Sequence, residues 1–389
     1  MNFNSDEKKI NDTYAEINLE VLKKNFELIK RYANRKANSK EAVKICSIVK
    51  ANAYGHGMNE VGKALAEAGT DYLGTADYTE SIILSDYIKK FSKKNVNVLC
   101  LGILTDAKFF DKIISRNIVV TIANVNTASH LNNFAKSKNK KINIQIQVDS
   151  GINRIGFLIK DAYEAVQKIH QMSNLNITGI YSHYATSEIS HNSYALKQLS
   201  DFKTIVKELE DNVMKFGLKH ISNTGGILNY NDTFFNMVRP GISLYGYYPD
   251  RKKVVNDIGI KPVMTLKSKV SFIKQLDKKQ SISYGRKYFT KSRTKIISIP
   301  IGYGDGYSRL LTNKASVFIG GKLYRIIGTV CMDWVMVEGG INSKIKINDE
   351  VILFGKEYPA DNLSEIIGTI PYEITCNVSS RVQRIYTGK

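Results

Sequence analysis

The chain has 389 residues, 43% of them hydrophobic and 24% charged, a composition that belongs to folded globular proteins and a length that suits two domains. Its formal net charge is +20, yet 44 of the 56 basic residues are lysines scattered among Asn, Ile and Glu, without the clustered arginines of a nucleic-acid surface. Nucleic-acid binding is set aside on that ground, and membrane spanning because no run approaches about 18–20 apolar residues.

The chain opens on the polar stretch "MNFNSDEKKINDTY", which holds no apolar segment of the signal-peptide kind, so a cytoplasmic location is expected. The next two-thirds repeats one rhythm: a short β-branched run, a loop, then an amphipathic stretch. Strands are predicted at 43–50, 71–76, 96–103, 117–123, 143–149, 177–185, 220–224 and 237–241. Many are apolar on both faces, as parallel strands covered by helices should be. The clearest helix places Leu199, Phe202, Val206, Leu209, Val213 and Phe216 on one stripe, with Gly217 as its stop signal. Eight strands alternating with helices predict an α/β fold, a (β/α)8 TIM-type barrel over 18–250. A doubly wound open sheet is the alternative, but no G-x-G-x-x-G follows an early strand.

Beyond residue 250 the pattern turns to period two in "VMTLKSKVSFI". A Gly-Gly hairpin signal stands in "SVFIGGKLYRIIG", and "TVCMDWVMV" is a further strand-like run. These predict a mostly antiparallel β domain over 251–389, with the seam within 247–259. Cys46, Cys100, Cys331 and Cys376 lie far apart, with no His at ligand spacing, so buried free thiols are expected and no metal site.

Barrels carry function at the carboxyl ends of their strands. Lys50, in "SIVKANAYGHG", ends the first one. A lysine there either snorkels to solvent or, held at an enclosed mouth, loses hydration and becomes available for Schiff-base chemistry. At the ends of strands seven and eight, "SNTGG" (222–226) and "RPGI" (239–242) bring small residues that let backbone N–H groups approach an anion. Either segment alone could be an ordinary turn. An amine facing a phosphate cradle is the layout that pyridoxal 5'-phosphate requires.

These segments resemble the bacterial alanine racemases, a barrel plus β-domain family that uses pyridoxal phosphate. "VDSGINRIGF", "YSHYATSE", "SNTGG", "VRPGISLYG", "SYGRKY", "PIGYGDGY", "GTVCMDW" and "PYEITC" come after "SIVKANAYGHG" in the family's order. The resemblance implies that Lys50 carries the cofactor and that Lys50 and Tyr284 are the two acid/base groups, acting from opposite faces. Racemisation needs such a pair, because a proton leaves one face of Cα and returns on the other. It further implies that His183 assists the tyrosine, that Arg239 faces the cofactor's ring nitrogen, and that Arg154 orients the cofactor and the substrate carboxylate. Tyr54, Thr224, Gly241, Ile242 and Tyr372 are the implied phosphate set, with Asn223 beside them. Met332 and Asp333 approach the substrate. The implied assembly is a head-to-tail homodimer in which Tyr284, Met332 and Asp333 complete the partner's site. Residues 1–17 are implied to add a strand, "TYAEINL", to the β domain.

The implied activity is interconversion of L- and D-alanine, supplying D-alanine for peptidoglycan. A racemase of the same fold with serine or broader specificity is the alternative, and a barrel decarboxylase or a non-catalytic cofactor-binding protein fits less well. Three positions depart from the family pattern. Gln147 stands where many members have a lysine, and its Oε1 is expected to hold Arg154. Asn153 replaces a glycine, and Thr224 a serine.

Overall fold

The computed structural model describes residues 12–37, 41–231, 233–250 and 255–388. Residues 1–11 of the implied N-terminal strand segment, and 251–254 of the expected seam, lie outside them. The described residues form two compact units. One comprises Leu22–Ala53 and Gly57–Ile260; the other comprises residues 12–21, Tyr54–His56 and 261–388.

The first strand, β1 (Tyr14–Asn18), belongs to the second unit. The first unit is built on β2 (Lys44–Ile48), β3 (Tyr72–Thr75), β4 (Asn97–Ile103), β5 (Val119–Ile122), β6 (Ile142–Asp149), the short β7 (Phe157–Leu158), β8 (Leu175–Tyr181), β9 (Leu218–His220) and β10 (Met237–Val238). All pair in parallel, in the order β10-β2-β3-β4-β5-β6-β8-β9, with β7 set beside β6. A parallel bridge between Asn223 and Arg239 and an Arg239 N–H to Ser222 C=O bond of 2.8 Å join the last two, so the eight main strands make a nearly closed barrel. The eighth strand is shorter than predicted because Pro240 has no N–H for a ladder; its C=O instead accepts from Ile48 N–H at 3.0 Å.

Helices alternate with these strands, each burying one stripe. In Ile159–His170 the stripe is Ala162, Ala165, Val166 and Ile169, the i, i+3, i+4, i+7 spacing of an amphipathic helix. Ser193–Asn212 is capped by Asn192, whose side chain accepts from the N–H groups of Tyr194 and Ala195. This helix stops earlier than its stripe predicted. Val213 leaves helical geometry, and Phe216 is buried from the segment beyond it, its N–H on Glu210 Oε1.

The second unit holds β11 (Met264–Lys269), β12 (Phe272–Leu276), β13 (Ser281–Ile282), β14 (Tyr288–Phe289), β15 (Thr294–Ile299), β16 (Ser316–Ile319), β17 (Lys322–Arg325), β18 (Val335–Glu338), β19 (Glu350–Phe354) and β20 (Gln383–Thr387). Its largest sheet runs β17-β16-β19-β11-β1-β20, antiparallel throughout except for the parallel pair β1 and β20. Gly320 and Gly321, both at positive φ, turn the β16–β17 hairpin. Of "TVCMDWVMV" only 335–337 is strand. Residues 331 and 332 form a loop whose carbonyls accept from Tyr303 and Gly304 N–H at 3.0 and 2.9 Å. Only glycine fits at 302, where a Cβ would stand 2.2 Å from Cys331 O.

No helix among the described residues is long and apolar enough to cross a membrane. Cys46 and Cys100 are buried, but Cys376 is exposed and Cys331 half-buried, which corrects the expectation of four buried thiols.

Candidate active site

Strand β2 delivers Lys50 two residues beyond its last paired residue. The chain then makes a left-handed helical turn: Ala51, Asn52, Ala53 and Tyr54 all have φ between 52° and 55°. Left-handed geometry costs roughly 1–2 kcal/mol for each residue with a Cβ, so neighbours must impose it. Within the barrel unit, Ala53 N–H donates to Val49 O, Gly57 N–H to Asn52 O and Met58 N–H to Asn52 Oδ1, each at 2.8–2.9 Å. In the second unit, Tyr54 stands 5.9 Å from the Tyr372 ring, centroid to centroid, and Arg384 Nε donates to Gly55 O at 3.0 Å. Burial pushes the Tyr54 phenol up, so its hydroxyl keeps its proton and can donate it.

The centre of the barrel mouth is Arg239, buried at 3% exposure. Its Nη2 donates to Ser182 O at 2.6 Å, Ile221 O at 3.1 Å and His183 Nδ1 at 3.2 Å, and its Nη1 to His220 Nδ1. The guanidinium lies 5.1 Å from the centroid of Tyr181, whose ring stacks on His220 at 4.8 Å and 8°. Arginine has no acceptor, so both imidazoles must receive its protons at Nδ1 and carry their own on Nε2. His220 then donates from Nε2 to Gln145 Oε1 at 2.8 Å. Burial first, and the Arg239 charge second, hold both histidines well below the usual imidazole range, so both are neutral near pH 7. Burial also brings Arg239 down to about 10, which still leaves it protonated.

On His183 the next influences after Arg239 are the charges of Arg154 and Lys50. Lys50, Arg154, His183 and Arg239 therefore share one electrostatic neighbourhood, reached from the carboxyl ends of four parallel strands. No carboxylate is among the charges that act most on His183 or Arg239. Such a cationic mouth suits a ligand carrying anionic groups, and pyridoxal phosphate passes that test of fit.

The cradle residues are only partly as expected. Thr224 Oγ1 accepts from Gly241 N–H at 3.0 Å and meets Ser243 Oγ at 3.0 Å. The Gly241 N–H is thus committed to Thr224 and is not aimed at an anion. Ile242 N–H, at the start of the turn Ile242–Tyr245, has no partner among the described residues. Asn223 caps the short helix Thr224–Asn229: its Oδ1 accepts from Gly226 N–H at 3.0 Å and from Ser187 Oγ at 2.7 Å.

The loop after β6 overturns one expectation. Asp149 gathers it, accepting from the N–H groups of Gly151, Asn153 and Arg154 at 2.9–3.1 Å. Asn153 sits at φ 56°, a left-handed position that asparagine tolerates, which accounts for its standing in for glycine. Gln147 Oε1 accepts from Tyr181 Oη at 2.9 Å, and Gln147 Nε2 donates to Ile155 O at 3.1 Å. Gln147 therefore does not hold the Arg154 guanidinium. Arg154 is exposed, and its guanidinium has no hydrogen-bond partner among the described residues.

In the second unit, Tyr284 starts a tight turn fixed from both sides. Ser283 Oγ donates to Thr329 O and Thr329 Oγ1 to Tyr284 O, both at 2.7 Å. The tyrosine side chain is left 73% exposed. Ser283 also meets Cys331 Sγ at 3.3 Å, so the Tyr284 turn adjoins the loop bearing Met332 and Asp333. Arg381 Nη2 donates to Asp333 Oδ1 at 2.7 Å. Met332 and Trp334 are exposed as well.

Sequence reasoning passed over His220, Gln145, Tyr181 and Arg381. The one available signal was the histidine of the strand segment "HISNT", since a polar ring in a barrel strand needs partners.

Fold and mouth together define a (β/α)8 barrel protein with an appended β domain and a cationic site at the strands' carboxyl ends. Residues 17–249 match the family described as alanine racemase, N-terminal domain, and residues 263–386 its C-terminal domain. A protein of Clostridium perfringens (strain SM101), named alanine racemase, is 38% identical over 382 residues, 97% of this chain and 96% of its own length. The solved alanine racemase of Clostridium difficile 630 superposes with a TM-score of 0.90 at 36% identity, over 98% of this chain and 97% of that one. An alanine racemase structure from Bartonella henselae, described with covalently bound pyridoxal phosphate, gives 0.84 at 27% identity over 96% and 99%. The chain belongs to the alanine racemase family.

Proposed function

We propose that the protein interconverts L- and D-alanine with pyridoxal 5'-phosphate, by a two-base mechanism, in the cytoplasm, and that its D-alanine serves peptidoglycan. When bound at Lys50, the cofactor supplies a conjugated electron-withdrawing system that acidifies the α-hydrogen of an amino acid. Thr224 and Ile242 of the barrel are assigned to its phosphate, and Arg154 to the substrate carboxylate.

Lys50 takes or returns the Cα proton on one face, and Tyr284 does so on the other. A phenol is a weak base at its ordinary pKa of about 10 and needs a donor for its anion. His183 can provide one, because Arg239 occupies Nδ1 and leaves the Nε2–H to donate. Arg239 can only donate, so a nitrogen facing it stays unprotonated. That limits how long negative charge survives on Cα, which favours rapid reprotonation over side reactions. Tyr284, Met332 and Asp333 are proposed to serve the site of a second copy of the chain, and the exposure of Tyr284 and Met332 supports such an assembly. Alanine is the assigned substrate, with serine turned over more slowly.

The observation that carries this reading is the Arg239–His183 hydrogen bond at a barrel mouth where the charges of Lys50 and Arg154 also act on His183. Incubating L-alanine with the holoprotein in deuterated water tests it. The expected result is deuterium at Cα with loss of optical rotation, and neither with Lys50→Ala. Exchange without racemisation would contradict the two-base assignment.

A further inference from the structure

We propose that Gln147 is a positioning residue that couples the loop bearing Arg154 to the aromatic shelf under Arg239. The inference rests on the racemase reading for its kinetic consequences, and on the barrel's geometry for its substance.

Gln147 lies in β6, two residues before its last residue Asp149, and is buried at 3% exposure. The orientation of its amide is dictated by its neighbours. The Ile155 carbonyl can only accept, so the NH2 must face it, and the tyrosine hydroxyl must then donate to Oε1. One carboxamide thereby joins two groups of different duty. On one side is Tyr181, whose ring stacks on His220 and faces the Arg239 guanidinium. On the other is the peptide carbonyl of the residue after Arg154.

This matters because the guanidinium of Arg154 has no hydrogen-bond partner of its own among the described residues, so the backbone beneath it decides where it stands. Asp149 fixes the near end of the loop through three N–H groups. Gly156, at φ 126°, presses the far end onto β6, where a Cβ would lie 2.8 Å from Asp149 N. Between those anchors two side chains reach loop carbonyls: Tyr194 Oη donates to Gly151 O at 2.7 Å, and Gln147 Nε2 donates to Ile155 O, the carbonyl next to Arg154. A lysine at 147 could act on the arginine through charge; a neutral carboxamide acts on the backbone instead.

Three variants separate the two halves of the tie. Gln147→Met keeps the volume and removes both hydrogen bonds. Gln147→Glu keeps an acceptor for Tyr181 but sets a second acceptor against Ile155 O, and Tyr181→Phe leaves the Ile155 bond intact while removing the Tyr181 bonds to Gln147 and to Thr121 Oγ1, the latter at 2.8 Å. Steady-state constants for alanine, melting temperature and hydrogen exchange over 149–156 are measured on each holoprotein. Gln147→Met and Gln147→Glu are expected to raise KM roughly three- to tenfold, the equivalent of one lost hydrogen bond, and to speed exchange in 149–156. Tyr181→Phe is expected to leave KM within about twofold and lower kcat roughly three- to tenfold. The double variant Gln147→Met with Tyr181→Phe should have the kcat of Tyr181→Phe alone, since that substitution already removes the bond the two residues share. Unchanged KM and unchanged exchange in Gln147→Glu would overturn the proposal, as would a lowered melting temperature with both kinetic constants intact. Wild-type protein that fails to racemise alanine would refute the racemase reading instead, and exchange over 149–156 would still decide the role of Gln147.

Discussion

The barrel mouth and the face around Tyr284 present their polar groups in opposite ways. At the mouth each group is buried and committed: Arg239 gives its protons to two imidazoles and two carbonyls, His220 to Gln145, and Tyr181 to Gln147. Around Tyr284 the turn is held by hydrogen bonds, while the side chain itself stands in solvent. The contrast teaches that protonation states are set in the barrel by burial and fixed charge, whereas the second unit contributes a well-placed group whose environment must come from elsewhere. Stability and activity should therefore separate between the two regions.

The largest expected effect is on activity alone. Tyr284→Phe should lower kcat/KM by roughly 10²–10⁴-fold, the range for losing an acid/base group, and leave the melting temperature unchanged because the hydroxyl is exposed. Arg239→Met reverses the pattern. It strips donors from two buried carbonyls, the buried His220 and the half-buried His183, and should cost about 2–4 kcal/mol of unfolding free energy by denaturant titration, with activity lost as well. A stable Arg239→Met or an unstable Tyr284→Phe would break the comparison.

The smallest effect is a slope. His220 is buried and held neutral, so its folded pKa lies below the unfolded value of about 6.5. Below that pH the unfolded chain binds a proton that the folded chain refuses, and stability falls as pH falls. The loss is at most about 1.4 kcal/mol per pH unit from this residue. Above pH 6.5 the contribution is constant. His220→Gln should flatten the decline between about pH 6.5 and 5; an unaltered slope would mean that His220 takes up a proton when folded.

The eight parallel strands were legible because each is a short β-branched run between turn residues, and such runs need no knowledge of their partners. The site motifs were legible in order, which placed Lys50, His183, Arg154 and Arg239 at strand ends. What pattern could not show depends on contacts distant in sequence. The left-handed turn after Lys50 is imposed by Met58, Gly57 and Val49, and nothing in "KANAY" except its asparagine favours it. Gln147 was expected to hold Arg154 because it stands where many family members have a lysine. Its real partners are Tyr181, 34 positions away, and a backbone carbonyl. The Gly241 N–H looked free for an anion until Thr224, 17 positions earlier, claimed it.

The central claim, that Lys50 and Tyr284 of different copies serve one site, is tested most directly by pairing two inactive variants. Chains carrying Lys50→Ala and chains carrying Tyr284→Phe, differently tagged, are co-expressed and the mixed pair isolated. Each variant alone should be at least about 100-fold impaired. The mixed pair should recover about half the wild-type rate, because one of its two sites then has both groups. A mixed pair no more active than its parents would contradict the account.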